Sequence, residues 1–241
     1  MEVLLAATIV FCAASVQGAI GFGAGLIAIA FLPLFWEVPY VVAVLSPVSV
    51  VLTGSLVFQL RKHVEFGDVR GLLWPMPLGV GVGLWALSHW SEFGLRACLG
   101  LLLLSYVLFS GYLRNNPGTV SIIWGYLAGF LGGFCGGALS SAGPPILVYA
   151  ATCGWEKNRF RANLQFFFVF TSVFGLVGLL YLGLVTWETG ILSLGLIPFV
   201  VGGAWVGDRV AAHLNEQRFR RMVLWALGGM GLFYLARAFW G

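Results

Sequence analysis

Charge is what this sequence has least of. Its 241 residues include 13 Lys or Arg and 9 Asp or Glu, 9% in all, against a hydrophobic share of 60%. A soluble domain carries roughly 25% charged residues, and this chain could not cover its surface with polar groups. A water-soluble globular class is excluded, and the solvent is lipid. Other chemistries lack their patterns too. Cys12, Cys98, Cys135 and Cys153 are scattered with no CxxC pair, which reads as small buried hydrophobes and gives no zinc site. His63, His89 and His213 lie far apart in or beside loops, without HxxE or HxxH spacing. Neither a metal nor a cofactor is expected, and no nucleophile–base pair emerges, so an enzyme is the weaker class. No ionisable residue stands in the middle of a hydrophobic run, which argues against a proton relay on a buried carboxylate. The start, Met1-Glu2-Val3-Leu4, has no basic n-region and no cleavage site, so no cleaved signal peptide is expected. The net charge of +4 is spread in short clusters between apolar runs. That pattern suits loops facing anionic headgroups and gives no footprint for nucleic acid.

What is present is length in apolar runs. A helix needs ~20 apolar residues to span the hydrocarbon core, and eight runs of that order appear: 3–34, 39–60, 69–89, 94–113, 119–150, 161–184, 189–210 and 218–239. Short polar links join them, and tryptophans such as Trp36, Trp74, Trp90, Trp155, Trp187 and Trp240 mark their ends as interfacial anchors. The expected fold is an all-α polytopic membrane protein.

The first and fifth runs exceed 30 residues, and glycine breaks each of them. The first break reads Gln17-Gly18-Ala19-Ile20-Gly21-Phe22-Gly23-Ala24-Gly25; the fifth runs from Gly132 through Gly136, Ser140 and Ser141 to Gly143-Pro144-Pro145. Glycine costs ~1 kcal/mol against alanine within a helix and proline about 3. Close helix packing would also explain glycines, and Gly125, Gly129 and Gly133 fit it. The Gly-Pro-Pro end does not, because two adjacent backbone donors are missing there. Non-helical backbone at membrane depth lines a cavity or is buried in protein.

The position of these runs, first and fifth of eight, points to a duplication: 1–116 as one membrane repeat and 117–241 as the other. Gly18-x-x-Gly21 aligns with Gly133-x-x-Gly136. Gly79, Gly83, Glu92 and Arg96 match Gly203, Gly207, Glu216 and Arg220 at one offset. If all eight runs cross, the Lys and Arg residues divide five to eight between the faces. If the fifth run enters and leaves on one side, Arg61, Lys62, Arg70, Arg114, Lys157, Arg159, Arg161, Arg209, Arg218, Arg220 and Arg221 share a face, with only Arg96 and Arg237 opposite. The positive-inside rule favours the second arrangement. Each half is then a re-entrant hairpin plus three crossings, an odd number, so the halves are inverted.

A hairpin tip exposes backbone N–H groups and positive helix ends, which suit an anion. Gln17, Ser140 and Ser141 add neutral donors there, or the serines bond back to their own helix. Arg159, Arg161 and Asn163 open the sixth run and suit a cytoplasmic mouth that gathers anions. Asp208 and Arg209 read as a local ion pair.

These two glycine motifs, Gln17-Gly-Ala-Ile-Gly-Phe-Gly-Ala-Gly and Gly133-Phe-Cys-Gly-Gly-Ala through Gly143-Pro-Pro-Ile, resemble those of the sulfite exporter TauE/SafE family. The likeness extends over essentially the whole chain. It implies a secondary transporter that moves sulfite or a small organosulfur anion across the bacterial inner membrane, usually outward. Residues matching the motifs are Gln17, Gly18, Gly21, Gly23, Gly133, Gly136, Gly143 and Pro144. With Phe22, Ser140, Ser141 and Asn163 beside them, they make the expected substrate site. The small residues Ala138 to Ala142 depart from the family pattern and leave the anion's size open. The partners expected are a small anion and the lipid bilayer, as monomer or homodimer. An anion channel or a non-transporting scaffold are the alternatives.

Overall fold

The computed structural model describes residues 2–112, 121–210 and 216–240. Arg114, the expected repeat boundary at 116/117, His213 and Asn215 lie outside the described residues. So do the side chains of Glu216, Arg218, Arg220, Arg221 and Trp240, on which part of the charge count and of the repeat match rests.

Among the described residues the structure is helical, with no strand. The first run forms α1 (Glu2–Ile20) and α2 (Ala24–Phe31), the latter prolonged by a 3-10 turn over Leu32–Leu34. Then follow α3 (Val38–Leu60), α4 (Phe66–Leu73), α5 (Met76–His89) and α6 (Glu92–Tyr112). The second half holds α7 (Ile122–Leu139), α8 (Gly143–Thr152), α9 (Lys157–Tyr181), α10 (Trp187–Val210) and α11 (Glu216–Trp240). Each of the eight apolar runs is therefore one helix or a broken pair.

Among the described residues five helices are long and apolar enough to cross a membrane, and α4 with α5, bent by 42° at Trp74-Pro75, would make a sixth. The 24 residues of α10 reach about 36 Å at ~1.5 Å each, enough for a ~30 Å hydrocarbon core. The 8 residues of α2 and 10 of α8 reach only about 12 and 15 Å, half the core. This is a multi-pass membrane protein. Trp74 and Trp187, at the ends of their segments, are more than three-quarters exposed, as interfacial rings are.

Packing exchanges elements between the halves. α1 lies mainly on α10 and α7 on α5, while α3 packs on α9 and α6 on α11. The crossed pairs meet backbone to backbone. A Cβ on Gly203 or Gly207 would strike the carbonyls of Phe11 or Ser15; on Gly79 or Gly83 it would strike those of Phe130 or Phe134. Dispersion and Cα–H···O contacts at such approach replace the hydrophobic drive that lipid does not supply. The same kind of contact recurs one residue further on in both crossed pairs. Gly18 faces the Ala204 carbonyl, and Gly137 faces that of Val80; Val80 and Ala204 stand one residue past Gly79 and Gly203. Gly18 thus stands against α10 as Gly137, one helical turn past Gly133, stands against α5. Gly129 and Gly133 do serve close packing, against the carbonyls of Leu72 and Met76.

Polar links fix the two ends of the bundle. At one end Arg159 bonds Asp68 through two nitrogens, at 2.7 and 2.8 Å. Asn163 accepts from the Glu65 amide there, at 3.0 Å, so the loops near Arg61 and Lys157 lie together. At the other end, Glu92 accepts from the Val38 amide at 3.2 Å and holds Arg96 at 3.0 Å.

Candidate functional site

Both expected breaks are real. α1 ends where Gly21 turns to φ +90, and Gly23 at φ +111 opens α2. α7 ends at Ser140, whose φ of +50 is the one positive value among the described non-glycine residues. A left-handed residue with a side chain costs roughly 1–2 kcal/mol, and strain of this kind gathers at functional sites. The two breaks touch: a Cβ on Gly25 would lie 2.6 Å from the Ser140 carbonyl oxygen.

Between them is a cavity of about 60 Å³, several times the ~10–15 Å³ that one water needs. Gln17, Gly23, Ala24 and Gly25 line it from the first break, and Gly136, Ser140, Ser141, Ala142 and Gly143 from the second. α3 contributes Ser46, Ser49 and Thr53, and α9 contributes Phe168, Thr171, Ser172 and Gly175. These recur at helical spacing, so each helix turns one face with hydroxyl groups to the cavity. Pro47 lies inside α3 beside Ser46; its ring removes a helical hydrogen bond at that level.

Donors converge on this space. The first helical turn of α2 leaves the N–H groups of Gly25 and Leu26 without intrahelical partners, and both residues line the cavity. Gly143 begins α8 in the same way, while Pro144 and Pro145 carry no N–H. The Ser141 hydroxyl is the most telling group. Ser141 is 3% exposed, lines the cavity, and its oxygen has no hydrogen-bond partner within the protein. Such a group costs about 1–3 kcal/mol unless something meets it.

A closed polar strap holds the first break. Gln17 donates to the Gln165 side-chain oxygen at 3.1 Å and accepts from the Ala24 amide at 3.1 Å. Gln165, fully buried, donates in turn to the Gly21 carbonyl. One helical turn nearer the basic end, Arg161 donates to the Gly18 carbonyl at 2.8 Å and to Asp208 at 3.3 Å. Asp208 therefore pairs with Arg161, while Arg209 stacks on Trp205 at 3.8 Å. This corrects the expected Asp208–Arg209 pair, since adjacent helical residues do not face each other.

Of the expected site residues, the structure brings Gln17, Gly23, Gly136, Ser140, Ser141 and Gly143 to the cavity. It does not bring the others. Gly18 packs on Ala204 and Gly21 on the Arg161 stem. Phe22 meets Tyr106 edge-on at 6.1 Å, and Pro144 is not in the lining. Asn163 is spent on Asp68, at 2.9 Å, and Glu65. Gln165 and the hydroxyl faces of α3 and α9 are absent from the expected site; the spacing Ser46, Ser49, Thr53 is the signal that would have found the latter. Among the described residues no three His, Cys, Asp or Glu side chains could share a metal ion.

The model of the sulfite exporter TauE/SafE family matches residues 6–234, nearly the whole chain. The chain belongs to the TauE/SafE family. No curated protein and no solved structure matches it. In this TauE/SafE member the glycine motifs are the two helix breaks, and they meet around a cavity walled by neutral donors.

Proposed function

We propose that this protein is a secondary transporter that carries sulfite or a small organosulfonate out across the bacterial inner membrane by alternating access. The observation that carries this reading is the cavity enclosed by both breaks, with the Ser141 hydroxyl unpartnered inside it. Helix N-termini and hydroxyls solvate an oxyanion without the deep well of a buried arginine, so the anion can leave as well as enter. An anion leaving a cell that is negative inside gains about 2.3 kcal/mol per charge per 100 mV. Export then needs no buried carboxylate.

The repeats are read as inverted. α2 and α8 are too short to cross, and the crossed packing of α1 on α10 and α7 on α5 supports two interlocked halves of opposite orientation. In each half a long helix, α1 or α7, would run through much of the membrane, and the short α2 or α8 would turn back from the break. Arg161, bonded to Gly18 and Asp208, then ties the first hairpin to α9 and α10 on the cytoplasmic side. Opening that side requires these bonds to part.

Uptake of labelled sulfite, thiosulfate and a two-carbon sulfonate into proteoliposomes, with and without an imposed potential, tests the reading. Saturable flux of one of them is expected. Flux no greater than in empty vesicles for all three refutes it.

A further inference from the structure

We infer that the cavity selects singly charged oxyanions and excludes doubly charged ones, so that sulfite is bound as hydrogen sulfite. This rests on the proposed site and concerns its charge class. The lining residues are all neutral. Titratable or charged groups on the packed elements include Tyr40 on α3, Cys135 on α7, Tyr149 on α8, Arg161 on α9 and Asp208 on α10, and none of them lines the cavity. Arg161, the cation nearest to the first break, is already bonded to Gly18 and Asp208. Among the described residues no full positive charge lines the cavity to compensate the ligand.

The cost of taking an ion out of water rises with the square of its charge, so a dianion pays about four times the desolvation penalty of a monoanion. The compensation in this cavity is dipolar: the free N–H groups opening α2 and α8, and the unpartnered, buried Ser141 hydroxyl. Dipoles of this kind hold one charge well. Their attraction grows only linearly with charge, so the second charge is not recovered. Serine and threonine hydroxyls accept as readily as they donate. The acidic proton of hydrogen sulfite therefore finds a partner that a cage of arginines would not provide. Three S–O oxygens and one proton are a better match to this wall than three oxygens carrying two charges.

The test is binding to the purified full-length protein, read as thermal stabilisation, with two permanently charged probes. Methanesulfonate is a monoanion and sulfate a dianion throughout the neutral range, and both present a tetrahedral sulfur. Methanesulfonate is expected to stabilise the protein equally at about pH 6 and about pH 8, and sulfate to bind at least about tenfold more weakly. Sulfite should lose affinity between the same two conditions as its monoanion fraction falls. Gly175→Ala should weaken methanesulfonate binding by about fivefold or more without lowering the basal melting temperature. Sulfate binding as well as methanesulfonate, binding of neither, or a methanesulfonate affinity that falls with pH as sulfite's does would each overturn the inference. Sulfite flux in proteoliposomes is a separate readout: flux with no charge discrimination defeats only this inference, and absence of flux defeats the transport reading.

Discussion

Replacing Gly175 by alanine adds one methyl group to the cavity wall and touches nothing else. No heavy atom lies within 4 Å of the added Cβ, and Gly175 is buried within α9. Alanine is favoured over glycine in a helix by roughly 0.5–1 kcal/mol, so the fold should gain slightly. For a chain of this size that raises the melting temperature by about 1–4 °C. The added methyl takes its space from the cavity of about 60 Å³. Forcing an extra methyl against a fitted ligand costs about 1–3 kcal/mol, which is roughly a fivefold to hundredfold fall in transport efficiency. Gly25→Ala makes the contrast. Its Cβ would stand 2.6 Å from the Ser140 oxygen, where ordinary contact starts at 3.4 Å, so stability and flux should fall together. Melting temperature in detergent and initial flux in proteoliposomes, measured on both variants, separate the two effects. Wild-type flux in Gly175→Ala would refute the placing of this cavity on the transport path.

Gln165→Leu removes the strap and leaves the Gly21 carbonyl and the Gln17 amide unpaired in a buried place, at about 1–3 kcal/mol each; thermal unfolding should show a loss of that order. Gly83→Ala drives a methyl into the Phe134 carbonyl, whereas Gly81→Ala meets nothing, so the first should lower the melting temperature by several degrees and the second leave it or raise it. Burial pushes the Cys153 thiol up from its ordinary value, so its thiolate is scarcer at neutral pH than that of a free thiol. Maleimide labelling there should be slow at neutral pH and quicken about tenfold per pH unit as the solution is made alkaline.

Hydrophobic length and glycine clusters make the helices and both breaks legible in the sequence, because lipid imposes a length on apolar runs and glycine marks where a helix fails. The register of the repeat is not legible there. Glycine recurs at Gly129, Gly133 and Gly137, each a turn apart and each facing a carbonyl of α4 or α5, so a match by residue type alone slides by one turn. The second break is also partly hidden, since its left-handed position is filled by Ser140 where the first break has Gly21. Gln165 stands before Phe166-Phe167-Phe168 and reads as a chance polar residue until Gly21 is seen beside it. Asn163 and Arg161 suggest a substrate path in the sequence because they are polar and near the second hairpin in the chain. Folding carries them instead to Asp68 and Gly18, partners almost a hundred residues or more away.

Ser141 offers the most direct test of the transport site. Removing an unpartnered buried hydroxyl costs the fold nothing, so a purely structural Ser141 predicts that Ser141→Ala is as stable as the wild type and transports as well. A Ser141 that donates to the bound anion predicts equal or higher stability but a KM for labelled sulfite raised about tenfold, the loss of one hydrogen bond to a charged ligand. Unchanged uptake kinetics in Ser141→Ala would contradict that role.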